Sequence, residues 1–169
     1  MITIISGTNR LGSNTKKVAN YYNKLLQAEK HLDIKTLYLE DIDTHKRSEE
    51  LIQLEKEILI PSQAFIFIFP EYNGSFPGVL KSLIDHTDIR KAWWYKKALL
   101  VGVADGRGGN LRGLDQLSNV LHYLKMYVHP NKLPLSKINQ ELNEKGEFKR
   151  ELTRIEIENQ IDDFLAFLN

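Results

Sequence analysis

The segment 7–15, Gly-Thr-Asn-Arg-Leu-Gly-Ser-Asn-Thr, concentrates residue types that bind anions. It leaves the apolar run 2–6 and enters a stretch of helical periodicity, so its backbone N–H groups should converge at a helix N-terminus and attract an anion. Its side chains add hydroxyl and guanidinium donors suited to phosphate, from Thr8, Arg10, Ser13 and Thr15. The alternative is that Ser13 or Asn14 only caps the helix while Arg10 lies in solvent.

The glycine spacing of this segment narrows the kind of phosphate that it suits. Gly7 and Gly12 match half of the Walker A pattern, but Ser13 stands where that pattern has its lysine. The dinucleotide pattern Gly-x-Gly-x-x-Gly is also absent from the sequence. A triphosphate would therefore lose its main β/γ contact, and the segment suits a terminal monophosphate.

Two further loops combine turn formers with residues that suit a ligand. In residues 70–78, Pro-Glu-Tyr-Asn-Gly-Ser-Phe-Pro-Gly, exposed backbone groups would bind the edge of a planar heteroaromatic ring. The alternative for this loop is a tight turn whose Tyr72 and Phe76 pack in the core. Residues 105–109 hold three glycines, which permit either a close approach to a ligand or a plain strand-to-helix turn.

Short apolar runs and stretches of helical periodicity alternate along the chain and must position these loops. Five runs predict strands, at residues 2–6, 34–39, 64–69, 98–104 and 126–129. Five helices are predicted between and after them: 14–29, a helix from Ser48 that ends before Pro61, one with Pro77 as its first residue, one around 114–124 and one from Arg150.

Strands that alternate with helices form a parallel sheet, and right-handed crossovers then give a doubly wound α/β fold, predicted as a single domain over residues 1–169. The runs 64–69 and 98–104 carry no alternating polar residues, which predicts two central strands buried on both faces. Ligands of such sheets bind beyond the carboxyl ends of the strands. The loops after the first, third and fourth strands should therefore carry the function.

Composition excludes several function classes. The 169 residues include 23 Lys and Arg against 22 Asp and Glu, and this charge of +1 argues against a nucleic-acid binder and a disordered polyelectrolyte. The lack of cysteine excludes an iron–sulfur cluster, a thiolate zinc site and a thiol nucleophile, so electron transfer would need a bound cofactor. No apolar run approaches the ~18 residues of a membrane span and the N-terminus does not resemble a signal peptide, so a cytoplasmic protein without a membrane partner is expected.

In this order and spacing, the three loops resemble the NADPH-dependent FMN reductase family, the flavodoxin-like group that includes quinone, azo-dye and chromate reductases. The first loop of the family reads roughly Gly-Ser-x-Arg-x-x-Ser-x-Asn/Thr, and Thr8 here replaces its serine. The family's second motif, Pro-Glu-Tyr-Asn-x-x-x-Pro-x-x-Leu-Lys-x-x-x-Asp, is matched at Pro70, Glu71, Tyr72, Asn73, Pro77, Leu80, Lys81 and Asp85. The resemblance extends to about Pro130, and His86 departs from it because an aromatic residue is common at that position.

The resemblance implies a flavodoxin-like three-layer sandwich whose five-stranded parallel sheet has the order 2-1-3-4-5, with helices on both faces. It implies FMN as cofactor, with the phosphate held at Thr8, Arg10, Ser13, Asn14 and Thr15. It places the isoalloxazine ring against Pro70, Glu71, Tyr72 and Asn73, with Gly106 at the other edge of the ring. It also implies a homodimer or homotetramer with the helix 77–85 near the interface. Trp93 and Trp94 could be core, interface or a rim above the flavin.

The activity implied by the resemblance is an FMN-dependent NAD(P)H oxidoreductase. Such an enzyme takes a hydride from NADPH or NADH and reduces free flavin, quinones, azo compounds or metal oxyanions, and no protein acid, base or nucleophile is needed. Accordingly, no catalytic side chain is predicted, and no spacing in the sequence suggests a metal site or a Ser-His-Asp set.

The alternative is a flavodoxin-like electron carrier without NAD(P)H turnover, although flavodoxins are typically strongly acidic. A phosphate-binding protein that has lost flavin is a third possibility, which the intact second motif disfavours.

Overall fold

The computed structural model describes residues 1–29 and 31–168. Its strands are β1 (Ile2–Ser6), β2 (Ile34–Tyr38), β3 (Ala64–Pro70), β4 (Lys97–Val103), β5 (Tyr127–Val128) and β6 (Leu133–Leu135). They form one parallel sheet of order β2-β1-β3-β4-β5, and β6 also pairs with β4. The predicted flavodoxin-like strand order is confirmed.

Helices cover both faces of this sheet, as predicted. They are α1 (Asn14–Gln27), α2 (Glu49–Leu54), α3 (Gly78–Asp85), α4 (Leu111–Tyr123), α5 (Ile138–Glu141) and α6 (Glu151–Leu168). The helices α1, α5 and α6 bury their apolar side chains in the core on one face, and α2, α3 and α4 do so on the other. Among the described residues, no helix is both long and apolar enough to cross a membrane.

The central strands are buried on both faces, as their unbroken apolar sequence predicts. Every side chain of β3 from Ala64 to Phe69 is fully buried. Trp93 packs on Phe65 and Phe67 with ring centroids 5.0 and 6.2 Å away, and its Nε1 donates to Thr87 Oγ1 at 2.9 Å. Trp93 is therefore a core residue.

Trp94 follows and is half-buried, with the ammonium of Lys125 3.9 Å from its ring centroid. Both tryptophans precede β4 and so lie at the edge of the sheet where the parallel strands begin. Ligands of this fold bind at the opposite edge. Neither side chain can therefore form a rim above a flavin in the same subunit.

Two details of the sequence-based prediction are wrong. Pro77 is the N-cap of α3, with an extended ψ of 143°, and the helix begins one residue later. The prediction of a single fifth strand also fails, because β5 pairs with the start of β4 and β6 pairs with its end. Pro130 lies between β5 and β6, and its missing N–H and fixed φ favour such an interruption. The chain beyond Pro130 thus returns to the sheet at the edge where ligands bind.

Candidate cofactor-binding site

A cleft of about 470 Å³ lies beyond the carboxyl ends of β1, β3 and β4, next to the point where the strand order reverses. Four segments line it: Arg10–Thr15 without Gly12, Pro70–Asn73, Val103–Asp105, and Ile138 with Asn139. Of the ten cofactor-binding residues predicted from the sequence, eight line this cleft: Arg10, Ser13, Asn14, Thr15, Pro70, Glu71, Tyr72 and Asn73. Thr8 and Gly106 do not.

The first loop presents an array of backbone donors to the cleft. Ser13 caps α1, because its Oγ accepts from Lys16 N at 3.1 Å. The predicted capping role is therefore real, but a hydroxyl that accepts one bond still has its own hydrogen to donate. Among the described residues, the backbone N–H groups from Leu11 to Thr15 have no protein acceptor. Free N–H donors at a helix N-terminus are groups that bind anions in proteins, so this loop is the candidate anion-binding part of the cleft.

Arg10 supplies the positive charge of the cleft. Its guanidinium lies over the ring of Tyr72, 4.0 Å from the centroid, so it is held at the mouth although the residue is exposed. Among the described residues that line the cleft, Glu71 and Asp105 carry negative charge. Nearby Lys16 is paired with the buried carboxylate of Glu40, and this hydrogen bond raises the Lys16 pKa. The ammonium of Lys16 is thus already neutralised by the protein.

Thr8 lies beneath the cleft. It is fully buried, its hydroxyl shares a 2.5 Å hydrogen bond with the phenol of Tyr72, and it accepts from Arg10 N at 3.2 Å. Its side chain therefore holds two lining residues in place and is not itself at the surface of the cleft. This arrangement has no signature in the sequence, since 64 residues separate Thr8 from Tyr72.

The second loop is a two-residue hairpin. Tyr72 and Ser75 exchange backbone hydrogen bonds of 2.9 and 3.1 Å, and Asn73 and Gly74 both have positive φ, of 53° and 79°. This is the geometry that Asn-Gly favours in a tight hairpin turn. Gln116 of α4 supports the turn by bonding Ser75 Oγ and the Gly74 carbonyl. Phe76 packs against the core, as the alternative interpretation proposed for it, whereas Tyr72 lines the cleft.

One glycine of the third loop, Gly109, is needed for packing within the protein. Gly109 has a φ of +56°, and a Cβ there would lie 2.7 Å from the backbone carbonyl of Pro134. Gly106 is exposed, and a Cβ there would meet no atom within 4 Å. The close approach at Gly109 is therefore to β6. The residue of this loop that lines the cleft is Asp105.

Ile138 and Asn139 of α5 also line the cleft, and sequence reasoning missed both. Their segment shows no periodicity or motif by which to find it. It reaches the cleft because β6 pairs with the end of β4 and directs the following residues toward the first loop. The structure thus brings together three predicted loops and one further segment.

The comparisons with known proteins agree with this geometry. The family described as NADPH-dependent FMN reductase matches residues 1–140. An NAD(P)H-dependent FMN reductase of Schizosaccharomyces pombe is 36% identical over 83 residues, which are 47% of this chain and 40% of that protein. A quinone reductase of Pseudomonas putida is 31% identical over 133 residues, which are 74% of this chain and 71% of that protein.

A solved structure of similar fold is the flavoenzyme NAD(P)H:(acceptor) oxidoreductase FerB of Paracoccus denitrificans. It superposes with a TM-score of 0.84 at 22% identity, over 99% of this chain and 96% of that one. The family match confirms the predicted chemistry, an oxidoreductase with FMN as cofactor and NAD(P)H as co-substrate. This chain belongs to the NADPH-dependent FMN reductase family.

Proposed function

We propose that the chain is a single FMN-binding domain that transfers a hydride from NADPH or NADH to a small-molecule acceptor. The acceptors that we propose are free flavin, quinones, azo compounds and metal oxyanions. The observation that carries the proposal is the set of free backbone N–H groups from Leu11 to Thr15 beside Arg10, at one end of a cleft whose other end is the Pro70–Asn73 backbone. FMN, when bound, supplies the ring that takes up and releases the hydride.

The residues of the cleft fit the two ends of FMN. Ser13, Thr15, Arg10 and the free N–H groups would hold the phosphate, and Asn14 adds an amide to that set. The hairpin at Asn73 and Gly74 would present backbone groups to the edge of the ring. Thr8 would act indirectly, by fixing Tyr72 and Arg10. The phosphate end favours FMN over FAD, because adenosine attached to the phosphate would have to pass Arg10 and α1.

Two measurements test the proposal. Titration with FMN, FAD and riboflavin should give the tightest binding for FMN, and equal affinity for riboflavin would show that the first loop is not a phosphate site. Anaerobic addition of NADPH or NADH should then bleach the visible absorbance of the flavin complex. Bound flavin that neither nicotinamide bleaches would identify an electron carrier of the flavodoxin kind.

Steady-state kinetics test how donor and acceptor share the site. If the ring lies against Pro70–Asn73, one of its faces is open, and the two substrates must use that face in turn. We expect ping-pong kinetics, with parallel double-reciprocal plots at several NADPH concentrations and a quinone as acceptor. Intersecting lines would require a second substrate pocket.

We further propose that the chain is a homodimer or homotetramer that associates through α3 and α4. A cavity of about 570 Å³ beside these helices has an apolar part formed by Ile84, Ile89, Val120 and Leu124, with Tyr123 80% exposed at its side. Its polar part is formed by Lys81, Asp85, Thr87 and Asn119. Light scattering should show Tyr123→Glu shifted toward monomer, because the charge would lie in the interface. Leu152→Glu, the same kind of change at a 75% exposed residue of α6, should leave the mass unchanged.

A cytoplasmic location and the lack of a nucleic-acid partner stay predictions.

A further inference from the structure

Asn139 belongs to the segment of the cleft that lies outside the three predicted loops. Its Oδ1 accepts from Asn14 Nδ2 at 2.6 Å, and its backbone N–H donates to Asp105 Oδ1 at 3.4 Å. Asn139 therefore contacts both the start of α1 and the loop after β4. It is placed among the donors that surround the anion site.

The backbone holds this segment in a defined position. Ala104 N donates to the Leu135 carbonyl at 3.0 Å, and Ile138 N donates back to the Ala104 carbonyl at 3.2 Å. Lys137 adopts a left-handed conformation with φ 50° and ψ 41°, which is uncommon for a residue other than glycine and costs on the order of 1 kcal/mol. Such a conformation persists where the surrounding structure requires it, and here it precedes the two residues that line the cleft.

The pairing of the two amides leaves a donor at the site. Asn139 uses its carbonyl oxygen to accept from Asn14, so its NH₂ group stays available, and among the described residues that group has no protein acceptor. Asn14 is the first residue of α1, and its own backbone N–H is one of the free donors of the first loop. A phosphate bound at those N–H groups would offer acceptor oxygens to the Asn139 amide.

We propose that Asn139 is a further FMN-binding residue, which donates to the phosphate and contributes to the selection of FMN over riboflavin. This inference rests on the proposed function. The rival interpretation is that the Asn14–Asn139 pair only ties α5 to α1, in which case Asn139 would support all flavins equally. The two interpretations differ in how a change at Asn139 affects ligands with and without a phosphate.

The test compares FMN and riboflavin binding to Asn139→Asp by calorimetry. A carboxylate at this position should repel the phosphate dianion as well as lose the donor, so the Kd for FMN should rise about 10- to 100-fold. The Kd for riboflavin should change less than about twofold, because riboflavin has no charge for the carboxylate to repel. The FMN penalty should shrink as salt is added, since it is partly a charge repulsion at the protein surface.

Two further variants complete the design. Asn20→Asp is the control, because it makes the same change at a residue of α1 that does not line the cleft. The Oδ1 of Asn20 accepts from the Tyr38 hydroxyl, and this variant should bind FMN and riboflavin as the wild-type protein does. Asn139→Ser removes the amide without adding charge, and it should weaken FMN binding more than riboflavin binding even if the aspartate variant does not fold.

The outcomes separate the two proposals. If wild-type protein prefers FMN but the changes at Asn139 alter both flavins equally, or neither, Asn139 is a structural tie and the inference is wrong. If wild-type protein itself does not prefer FMN, the proposed phosphate site is wrong. Loss of FMN affinity alone, with riboflavin affinity retained, supports both.

Discussion

The hydroxyl of Thr8 and the phenol of Tyr72 share a hydrogen bond of 2.5 Å that joins the loop after β1 to the loop after β3. Arg10 contacts both residues of this pair, since its backbone N–H donates to Thr8 Oγ1 and its guanidinium lies over the Tyr72 ring. The loop predicted to hold the phosphate and the loop predicted to hold the flavin ring therefore position each other.

Removal of this hydrogen bond should weaken FMN binding without removing any group from the cleft surface. Tyr72→Phe keeps the ring beneath Arg10 and loses only the phenol, so we expect the Kd for FMN to rise about two- to tenfold, as for one neutral hydrogen bond. Thr8→Val should have a similar effect. In a double-mutant cycle measured by flavin fluorescence, the two changes together should cost less than their sum, and additive penalties would show that the bond does not couple the loops.

Replacement of Arg10 tests the charge of the site. Arg10→Ala removes a charge-assisted contact to the proposed phosphate, so the Kd for FMN should rise about 10- to 100-fold while the Kd for riboflavin changes little. The melting temperature of the flavin-free protein should move only slightly, because the exposed stacking on Tyr72 is worth about 0.5–1 kcal/mol. A large fall in that melting temperature with intact flavin affinity would make Arg10 a structural residue.

The parts of this fold that the sequence predicts are those with a local physical cause. The unbroken apolar run of β3 predicted a strand buried on both faces. Ser13 and Asn14 were the two candidates for the cap of α1, and the structure shows that Ser13 is the cap. Eight of the predicted cofactor residues line one cleft because the carboxyl ends of parallel strands share one edge of the sheet.

The parts that could not be predicted depend on long-range packing. The path of the chain after Pro130 follows from the pairing of β6 with β4, so the positions of Ile138 and Asn139 had no local signal. The role of Thr8 depends on a partner in another loop. From the sequence, Gly109 could be interpreted as a close contact with a ligand. The structure shows instead that Pro134, 25 residues further along the chain, is the neighbour that leaves no room for a side chain at this position.

Two glycines of the same loop should respond differently to alanine. Gly109→Ala would force a Cβ to 2.7 Å from the Pro134 carbonyl at a φ of +56°, so we expect unfolding free energy to fall by about 2 kcal/mol or more. Gly106→Ala meets no neighbour within 4 Å and should change stability by less than about 1 kcal/mol in either direction. Urea denaturation of both variants measures the contrast, and equal stabilities would mean that β6 can move away from the loop.

Lys96 should make stability depend on pH in the alkaline range. Its ammonium donates to the carbonyls of Leu59 and Ile60 at 2.7 and 2.9 Å, yet burial lowers its pKa from 10.5 to about 8. Between these values the unfolded chain binds more protons at this site, so its contribution to the free energy of unfolding should rise from pH 8 to 10.5 and stay level below pH 8. Because the side chain is only half-buried, screening by solvent should limit the rise to roughly 1 to 2 kcal/mol.

Two variants isolate this contribution. Lys96→Met has no titrating group, and Lys96→Arg keeps its charge throughout this range. The difference in the free energy of unfolding between wild-type protein and either variant should therefore show the same alkaline rise in urea denaturation. A flat difference from pH 7 to 10.5 for both variants would mean that the two carbonyl contacts offset the cost of burying the ammonium.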